Sequence, residues 1–321
     1  MSTAQQPIGS GFGAGSTTQD VLEGIDLTGR TAVVTGGYSG VGLATTTALV
    51  KAGATVVVPA RRREVAEQAL AGVAGVEVDE LDLGDLDSVT TFAGRFLASG
   101  RDLDLIVASA GIMAPPLTRV GPGWESQFAV NHLGHFALVN RLHPALREGS
   151  RVVMVSSGAH MASGMRWDDV QFEKGEYDKW LAYGQSKSAV SLLAVHLDRL
   201  GAGSGIKAFS VHPGTIDTEL QRFLPPAEMV ALGWVNEDGS IPEGVHMKTP
   251  EQGAATQVWA ATAPRLAALG GQYLENVEVA RMTTEFTYSQ GGVMQHAVDP
   301  AEAERLWTLS AELTGVDAFR S

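Results

Sequence analysis

The stretch TAVVTGGYSGVGLATTTALVK, residues 31–51, decides the fold. It opens with a β-branched run at Thr31–Thr35, which predicts a strand, and from residue 40 its apolar residues follow helical spacing. Between the two lie Gly36, Gly40 and Gly42, in a G-x3-G-x-G pattern. Glycine permits positive φ and lets the backbone approach a pyrophosphate, which then binds amide donors at a helix N-terminus. The strand–turn–helix order favours a dinucleotide site over a plain tight turn.

Short apolar runs alternate with helical patterns over most of the remaining chain. The later predicted strands are residues 54–58, 76–81, 103–109, 151–157 and 207–211, and the predicted helices lie near 40–51, 62–71, 85–97, 123–146 and 180–200. Such alternation is typical of a parallel sheet covered by helices on both faces. The predicted fold class is α/β, a single-domain doubly wound parallel sheet (Rossmann), with ligands at the carboxyl ends of its strands.

The two ends of the chain lie outside this alternation. Residues 8–18, IGSGFGAGSTT, are rich in Gly, Ser and Thr and predict a loosely attached segment. We divide the chain into an N-terminal arm (1–26), a Rossmann dinucleotide-binding and catalytic domain (27–280) and a C-terminal extension packed on the same domain (281–321). The extension includes a predicted helix at Pro300–Leu313. Without a signal-peptide pattern or an apolar stretch near ~20 residues, the protein is expected to be cytoplasmic, with no membrane span.

Charge and composition exclude several classes of protein. A net charge of −13 argues against nucleic acid or an anionic membrane as a partner, since both require a basic surface. The 321 residues include no cysteine, which excludes a disulfide framework, a thiolate metal site and a cysteine nucleophile. His132, His135 and His160 lack the spacing and partners of a metal site, so we expect no metal and interpret them as packed or hydrogen-bonded.

The end of the second predicted strand bears on the choice of cofactor. An acidic residue at this place would bind the ribose hydroxyls of NAD, but the sequence reads Pro59-Ala60-Arg61-Arg62-Arg63. Arg61, supported by Arg62, can pair with a 2′-phosphate. The alternative is that these arginines only solvate the start of the next helix, where a cation is slightly unfavourable. NADP(H) is therefore predicted over NAD(H).

A candidate catalytic set lies further along the chain. Tyr183 and Lys187 are four residues apart, on one face of the predicted helix near 180–200. The predicted strand at 151–157 ends in Ser156 and Ser157, at the edge of the sheet where ligands bind, and Asn131 lies upstream in VNHLGHF. A surface pair on a helix has the same spacing as Tyr183 and Lys187, but these neighbours favour catalysis.

These motifs, in their order, resemble the short-chain dehydrogenase/reductase family. The order is TGGYSGVG (35–42), Asp82-Leu83, ASAG (108–111), Asn131, Ser156-Ser157, YGQSK (183–187) and HPGTIDT (212–218). GSTTQDVLEGIDLTGR, NHLGHF and SSGAH resemble the retinol-dehydrogenase-like branch. That branch includes the oxidoreductase domain of WW-domain-containing oxidoreductase, whose WW domains are absent here, and the protochlorophyllide reductases. Where the family has Asn-Asn-Ala-Gly, this chain has Ala-Ser-Ala-Gly, without the amides that steady the central strand.

The glycine turn, the arginines and the resemblance together define a candidate cofactor-binding set. It comprises Gly36, Tyr38, Ser39, Gly40, Val41, Gly42, Arg61, Arg62, Asp82, Leu83, Ser109, Ala110, Gly111, Tyr183, Lys187, Pro213, Gly214, Ile216 and Thr218. Asp82 is either an acceptor for the adenine amino group, as the resemblance implies, or an ordinary turn aspartate before the next helix. By the resemblance, the segment from Pro213 to Thr218 closes over the nicotinamide.

Carbonyl reduction explains why these side chains belong together. Hydride transfer leaves an alkoxide, which requires a proton and hydrogen-bond donors. A free tyrosine, with a pKa of about 10, is a slow base at neutral pH, and a nearby ammonium favours its phenolate. Tyr183 is thus the predicted general acid/base, with Lys187 tuning it and holding the nicotinamide ribose. Ser157 donates to the substrate oxygen and is preferred to Ser156 because the resemblance aligns it with the family's motif. By resemblance, too, Asn131 supports a proton relay from Lys187 through a water.

The predicted function is an NADP-dependent alcohol dehydrogenase or carbonyl reductase acting on a small alcohol, aldehyde or ketone. Residues 158–180 and 219–248 carry many apolar and aromatic side chains, which indicate a hydrophobic substrate or simply pack their own loops. The alternatives are a catalytically inactive NADP-binding regulator and a family member that acts on a C=C bond. By resemblance, the protein is expected to form a homodimer or homotetramer through the helices carrying Asn131 and Tyr183.

Overall fold

A computed structural model describes residues 5–243, 247–285 and 291–320. The strands are β1 (Thr31–Thr35), β2 (Thr55–Ala60), β3 (Val76–Glu80), β4 (Leu103–Ala108), β5 (Arg119–Val120), β6 (Trp124–Glu125), β7 (Leu146–Val155), β8 (Lys207–His212), β9 (Gln272–Glu275), β10 (Glu278–Val279), β11 (Met282–Thr283) and β12 (Val293–Met294). The helices are α1 (Thr18–Val21), α2 (Gly40–Lys51), α3 (Arg63–Ala69), α4 (Leu86–Ala98), α5 (Ser126–Phe128), α6 (Gly134–Leu142), α7 (Lys179–Gly201), α8 (Pro226–Ala231), α9 (Pro250–Thr262) and α10 (Pro300–Thr314).

In the described residues, eight strands form one twisted sheet in the order β10-β9-β8-β7-β4-β1-β2-β3. All neighbouring pairs are parallel except β9 and β10, which run antiparallel. Val33 of β1 is opposite Val57 on one side and Ile106 on the other. The chain order reverses between β1 and β4, and in such sheets ligands bind at this switch point, beyond the carboxyl ends of the strands. The predicted doubly wound α/β fold is confirmed.

Alternate residues of the central strands pack in two separate hydrophobic cores, one on each face of the sheet. Val34 joins the core that α2 and α9 cover, with Leu49 and Trp259, whereas Val33 joins the core under α4, α6 and α7, with Phe136. All five side chains are at most 2% exposed. Burying each contributes roughly 1.5–3 kcal/mol, so both faces hold the sheet rigid behind the strand ends.

The predicted long helix near 123–146 is broken into shorter pieces. A short strand (β6) and α5 lead into a π-helical turn at Ala129–Leu133, which precedes α6, and β7 already begins at Leu146. Helical spacing of apolar residues does not reveal a single extra residue per turn, and π-turns are frequent at functional sites. Gly134 follows this turn because a Cβ there would lie 2.2 Å from the carbonyl oxygen of Leu83.

The N-terminal segment is bound to the sheet edge and differs from the loose segment expected at 8–18. The backbone N–H groups of Ile8 and Ser10 donate to the carboxylate of Glu278, at 2.9 and 2.7 Å. Arg265 donates to the carbonyls of Gly9 and Ser10. Glycine-rich composition predicts local freedom, but these long-range hydrogen bonds fix the segment in place.

The C-terminal helix α10 lies on the outer face of α7. Ala303 and Leu306 pack with Ala189 and Leu192, and Trp307 packs edge-on to Phe136 of α6, with ring centres 4.8 Å apart. By resemblance, the sequence predicts that subunits pair through α7, the helix that carries Tyr183, and α10 covers one face of that helix. Among the helices of the described residues, none combines the length and apolar character needed to cross a membrane.

Candidate active site

The glycine turn between β1 and α2 has the close backbone contacts that only glycine permits. Gly36 and Gly40 have φ of +65° and +50°. A Cβ on Gly36 would lie 2.9 Å from the Cα of Ala110, and one on Gly42 would lie 2.2 Å from the oxygen of Gly36. Ser39 is the N-cap of α2, but its side chain makes no capping hydrogen bond, which leaves the first N–H groups of α2 for another acceptor. The turn therefore fits a pyrophosphate.

The arginines after β2 are exposed and lie beside this turn. Arg63 forms an ion pair with Glu67 at 2.7 Å, whereas in the described residues Arg61 and Arg62 form none. A third guanidinium, that of Arg222, lies near enough to Arg61 and Arg62 for their charges to lower its pKa, after the larger effect of burial. Sequence reasoning missed Arg222, because it lies far along the chain in a segment assigned to the substrate.

The carboxyl end of β4 is held by side chains other than the missing amides. The N–H of Ala110 donates to Oγ1 of Thr35 at 3.0 Å, and that hydroxyl lies 2.9 Å from Nε2 of His135. Nδ1 of His135 donates to the carbonyl of Asn131 at 2.9 Å, so Nε2 is the acceptor for Thr35. Burial lowers the pKa of His135 to about 4, which keeps it neutral. Thr35 and His135 thus steady the strand that the family steadies with asparagine.

Asn131 lies in the π-helical turn and clamps the loop after β4. Its Oδ1 accepts from the N–H of Ile112 at 2.9 Å, and its Nδ2 donates to the carbonyl of Ile112 and to Oγ of Ser186, each at 3.0 Å. A Cβ on Gly111 would lie 3.1 Å from Oδ1 of Asn131 and 3.7 Å from Nζ of Lys187. These contacts bring the loop at Ser109–Gly111 and the helix α7 together at one point.

Tyr183 and Lys187 lie in the first half of α7, close to the ends of β4 and β7. Nζ of Lys187 donates to the carbonyl of Val155 at 2.9 Å and lies 5.6 Å from the centre of the Tyr183 ring. The two side chains are buried, with Tyr183 4% and Lys187 6% exposed. Burial lowers the pKa of Lys187 to about 8. The ammonium is therefore placed to interact with the phenol and to change charge near neutral pH.

The two serines at the end of β7 differ in what their hydroxyls contact. Oγ of Ser156 donates to the carbonyl of Lys187 at 2.8 Å and accepts from Oγ of Ser191 at 2.9 Å, and Ser156 is 2% exposed. Oγ of Ser157 accepts from the N–H of Ala159 at 3.1 Å, and its residue is only partly buried. Ser156 is engaged within the protein, whereas the hydroxyl proton of Ser157 has no acceptor among the described hydrogen bonds.

Two neutral histidines hold the turn that carries Ser157. Nδ1 of His160 donates to the carbonyl of Ser157 at 2.8 Å, and its Nε2 accepts from the N–H of Met294 at 3.2 Å. Nδ1 of His212 accepts from the N–H groups of Gly158 and Gly214, at 3.2 and 3.4 Å. Burial lowers the pKa of His160 to about 4 and that of His212 to about 3. They connect the serine turn to the turn after β8.

The segment from Pro213 to Thr218 reaches back to the glycine turn. Gly214 has φ of +96°, and a Cβ there would lie 2.8 Å from Cδ of Lys248. Ile216 is 7% exposed and packs against Gly253 of α9, where a Cβ would lie 2.8 Å from the Ile216 side chain. A Cβ on Gly40 would lie 3.1 Å from Cγ2 of Thr218. The structure thus brings this predicted cofactor segment to the start of α2.

Asp82 and Leu83 lie in the turn after β3. Oδ1 of Asp82 accepts from the N–H of Gly84 at 2.8 Å, and the N–H of Asp82 donates to Oγ of Ser88 at 2.9 Å. These are the hydrogen bonds of a turn aspartate, and they leave its second carboxylate oxygen available for a ligand. Leu83 is 8% exposed, and its backbone is in close contact with Gly134.

Only part of the predicted substrate segments covers Tyr183. We call residues 218–234 the cover segment. Four of its side chains pack against Tyr183, Met113, Ala114 and Ala159, together with Trp180 of α7: Leu220, Leu224, Met229 and Trp234. The carboxylate of Glu228 anchors the segment, with oxygens 2.6 Å from Nζ of Lys179 and 2.9 Å from Nε1 of Trp180.

Two of the apolar side chains in the first predicted segment serve another part of the molecule. Met165 and Trp167 pack in the core beneath α10, and Nε1 of Trp167 donates to Glu302 at 2.6 Å. Met165 and Trp167 therefore neither join the cluster around Tyr183 nor pack only their own loop, but attach that loop to α10. Residues 244–246 lie outside the described residues.

The histidines singled out in the sequence have protein partners. Nε2 of His132 lies 2.7 Å from Oγ of Ser310, and its ring stacks on Phe128 with centres 5.1 Å apart. Residues 5–243, 247–285 and 291–320 contain no group of three or more His, Asp or Glu side chains placed to hold a metal ion.

The doubly wound fold and the glycine turn define a Rossmann-type protein, and sequence comparison identifies an oxidoreductase family. The family model described as short chain dehydrogenase matches residues 30–228. A Streptomyces antibioticus protein named "Probable oxidoreductase" is 45% identical over 306 residues, 92% of this chain and 100% of that protein. Human retinol dehydrogenase 11 is 35% identical over 300 residues, 91% of this chain and 88% of its own. The chain belongs to the short-chain dehydrogenase/reductase family, which confirms the resemblance.

Solved structures show the same architecture. A crystal structure of a protein from Mycobacterium paratuberculosis has a TM-score of 0.73 and 34% identity, covering 94% of this chain and 98% of that one. The angucycline C-6 ketoreductase LanV, solved with bound NADP, has a TM-score of 0.61 and 25% identity, covering 78% of this chain and 95% of its own.

Proposed function

We propose that this protein is an NADP-dependent alcohol dehydrogenase or carbonyl reductase that acts on a hydrophobic small molecule. The observation that carries the proposal is the meeting of Tyr183 and Lys187 with Asn131 and Ser157 at the strand ends. Nζ of Lys187 lies 5.6 Å from the Tyr183 ring centre and Lys187 is buried, while apolar side chains of the cover segment pack against Tyr183. A buried phenol beside an ammonium is a suitable donor or acceptor of a proton at an alcohol oxygen.

The residues that would hold the cofactor follow the strand ends. The turn at Gly36–Gly42 would hold the pyrophosphate, Asp82 and Leu83 the adenine side, and Gly111, Lys187 and the 213–218 segment the nicotinamide side. When bound, the nicotinamide group supplies or accepts the hydride. Arg61 and Arg62, with no ion pair in the described residues, support NADP(H) over NAD(H). The bound NADP of LanV is consistent with that choice.

Tyr183 is the proposed general acid/base. In reduction its hydroxyl gives a proton to the developing alkoxide, and in alcohol oxidation its phenolate takes that proton. The charge of Lys187 favours the phenolate, since opposite charges lower the pKa of a nearby acid. Asn131, which fixes the loop next to Lys187, would support the return of the proton through a water.

Ser157 is the proposed donor to the substrate oxygen. Its hydroxyl proton has no acceptor among the described hydrogen bonds, whereas Ser156 is engaged with Lys187 and Ser191. The apolar side chains of the cover segment and Trp180 support a hydrophobic substrate, because they would exclude water around the reacting carbon.

The oligomeric state and the cellular location remain predictions from the sequence: a homodimer or homotetramer, located in the cytoplasm. Because α10 covers the outer face of α7, such an assembly would need a surface other than that face.

A direct assay tests the proposed function. Purified protein is incubated with NADPH or NADP+ and a panel of hydrophobic aldehydes, ketones and alcohols, and absorbance at about 340 nm is followed. Turnover is expected with at least one carbonyl or alcohol and faster with NADP(H) than with NAD(H). Absence of turnover on every member, with cofactor binding intact, would favour a regulator without chemistry.

A further inference from the structure

The cover segment contacts the glycine turn at one end and the cluster around Tyr183 at the other. Its first residue, Thr218, lies against the glycine turn, where a Cβ on Gly40 would come within 3.1 Å of its methyl group. Further along, Leu224 and Met229 pack in the cluster around Tyr183. Few residues therefore separate the contact with the glycine turn from the contacts with Tyr183.

Arg222 lies between these two ends, and its guanidinium is held by its own turn. Nη1 donates to the carbonyl of Glu219 at 2.9 Å, and the guanidinium carbon lies 4.7 Å from the centre of the Phe223 ring. The turn itself, Glu219–Phe223, begins with a capping box between Thr218 and Gln221. Arg222 is thus oriented before any ligand binds.

Arg61 and Arg62, exposed after β2, lie within electrostatic reach of the Arg222 guanidinium. The charges of Arg61 and Arg62 act on Arg222 and, after burial, lower its pKa; Tyr38 and Glu219 act in the opposite direction. Within the described residues, none of the three arginines forms a salt bridge, whereas the adjacent Arg63 is paired with Glu67. Like charges placed together without a carboxylate partner favour an anion with several acceptor oxygens.

We propose that Arg222 binds the 2′-phosphate of NADP(H) together with Arg61 and Arg62, so that recognition of this phosphate stabilises the cover segment in its position over Tyr183. This rests on the proposed use of NADP(H). The phosphate carries close to two negative charges at neutral pH and accepts hydrogen bonds from planar guanidiniums. NAD(H) has only a hydroxyl at this place, so it gives Arg222 no charged partner and stabilises the cover segment less.

Calorimetric titration of the full chain with NADP+ and with NAD+, without substrate, tests the role of Arg222. We expect Arg222→Gln to weaken NADP+ binding about 10- to 100-fold, the loss typical of a charged hydrogen bond, and to leave NAD+ binding unchanged. Arg222→Lys should recover part of the loss. Arg63→Gln is the matched control, since its side chain is engaged with Glu67, and it should bind NADP+ as the wild type does.

The outcomes separate this inference from the proposed function. If the wild type prefers NADP+ and Arg61→Gln loses that preference while Arg222→Gln keeps it, the role of Arg222 is overturned and the proposed cofactor stands. If the wild type binds both nucleotides equally, the proposed cofactor choice itself fails. Hydrogen exchange of residues 218–234 tests whether the phosphate stabilises the cover segment. In the wild type NADP+ should protect these residues more than NAD+ does, and in Arg222→Gln the two nucleotides should protect them equally. Equal protection in the wild type would overturn the coupling.

Discussion

Nζ of Lys187 lies 5.6 Å from the centre of the Tyr183 ring and 2.9 Å from the carbonyl oxygen of Val155. The carbonyl anchors the ammonium at the end of β7, and α7 holds the phenol one helical turn before it. The position of the charge relative to the phenol is therefore set by the sheet and not by a loop. That rigidity is what a proton-transferring pair requires.

Tyr183→Phe should reduce turnover at least about 10²–10⁴-fold, because the phenylalanine ring keeps the packing and loses the proton. Affinity for NADP(H), measured by fluorescence titration, should stay close to that of the wild type. Tyr177→Phe is the matched control, since Tyr177 donates to Glu125 at 3.0 Å outside the cluster around Tyr183 and should leave turnover intact. Wild-type rates in Tyr183→Phe would exclude Tyr183 as the acid/base.

Lys187→Met should be inactive and yet more stable than the wild type at pH 7. The pKa of Lys187 falls from 10.5 to about 8 on folding, so the unfolded chain binds more protons between these values. The free energy of unfolding of the wild type therefore rises as the pH rises from about 8 to 10.5. Below pH 8 the buried ammonium destabilises the folded protein to its full extent. Methionine removes that cost, a gain of roughly 1–3 kcal/mol that shrinks above pH 8.

Thermal unfolding of both proteins at pH 7 and pH 10 measures this difference. A lower melting temperature for Lys187→Met at pH 7 would show that the hydrogen bond to Val155 outweighs the burial of the charge.

The parts of the molecule predicted well from sequence are those fixed by neighbouring residues. Helix α2 spans Gly40–Lys51 as predicted, because glycine spacing and apolar periodicity are local properties. The π-turn at Ala129–Leu133 was not predictable, since it shifts the periodicity by a single residue. The place of Arg222 beside Arg61 depends on how a long segment folds back over the strand ends, which no local pattern encodes. For the same reason Thr35 and His135, which replace the family's amides, emerged only from the structure.

Trp307→Ala should destabilise the protein by about 3–5 kcal/mol, the usual cost of truncating a buried tryptophan. Trp307 is 1% exposed, and its Nε1 donates to Asp317 at 2.9 Å, so the change leaves a cavity and removes this hydrogen bond, although Asp317 keeps its ion pair with Arg320 at 3.6 Å. Glu304→Ala on the same helix is the control: its ion pair with Arg199, at 3.3 Å, joins two half-exposed side chains and contributes at most about 1 kcal/mol. Urea unfolding compares the two variants. Equal midpoints would mean that α10 does not contribute to the stability of the domain.

Stability should fall as the pH decreases from 6.5 toward 4, because histidines that are neutral in the folded protein become protonated on unfolding. Burial lowers the pKa of His160 to about 4 and that of His212 to about 3, below the ordinary value of 6.5. In this range the unfolded chain binds more protons, and each such histidine contributes a slope of up to about 1.4 kcal/mol per pH unit. His160→Asn removes one titrating ring, so its urea midpoint should depend less on pH between 4 and 6.5 than that of the wild type.

Comparing His160→Asn with His160→Ala shows whether His160 positions Ser157 for catalysis or only stabilises the fold. Asparagine can still donate to the carbonyl of Ser157, which His160 does at 2.8 Å, whereas His160→Ala cannot. We expect His160→Ala to lower kcat more than it raises KM, and His160→Asn to recover part of kcat, in assays at pH 7.5 where both variants remain folded. If alanine and asparagine give the same kcat, the hydrogen bond to Ser157 does not position the serine, and His160 contributes to packing alone.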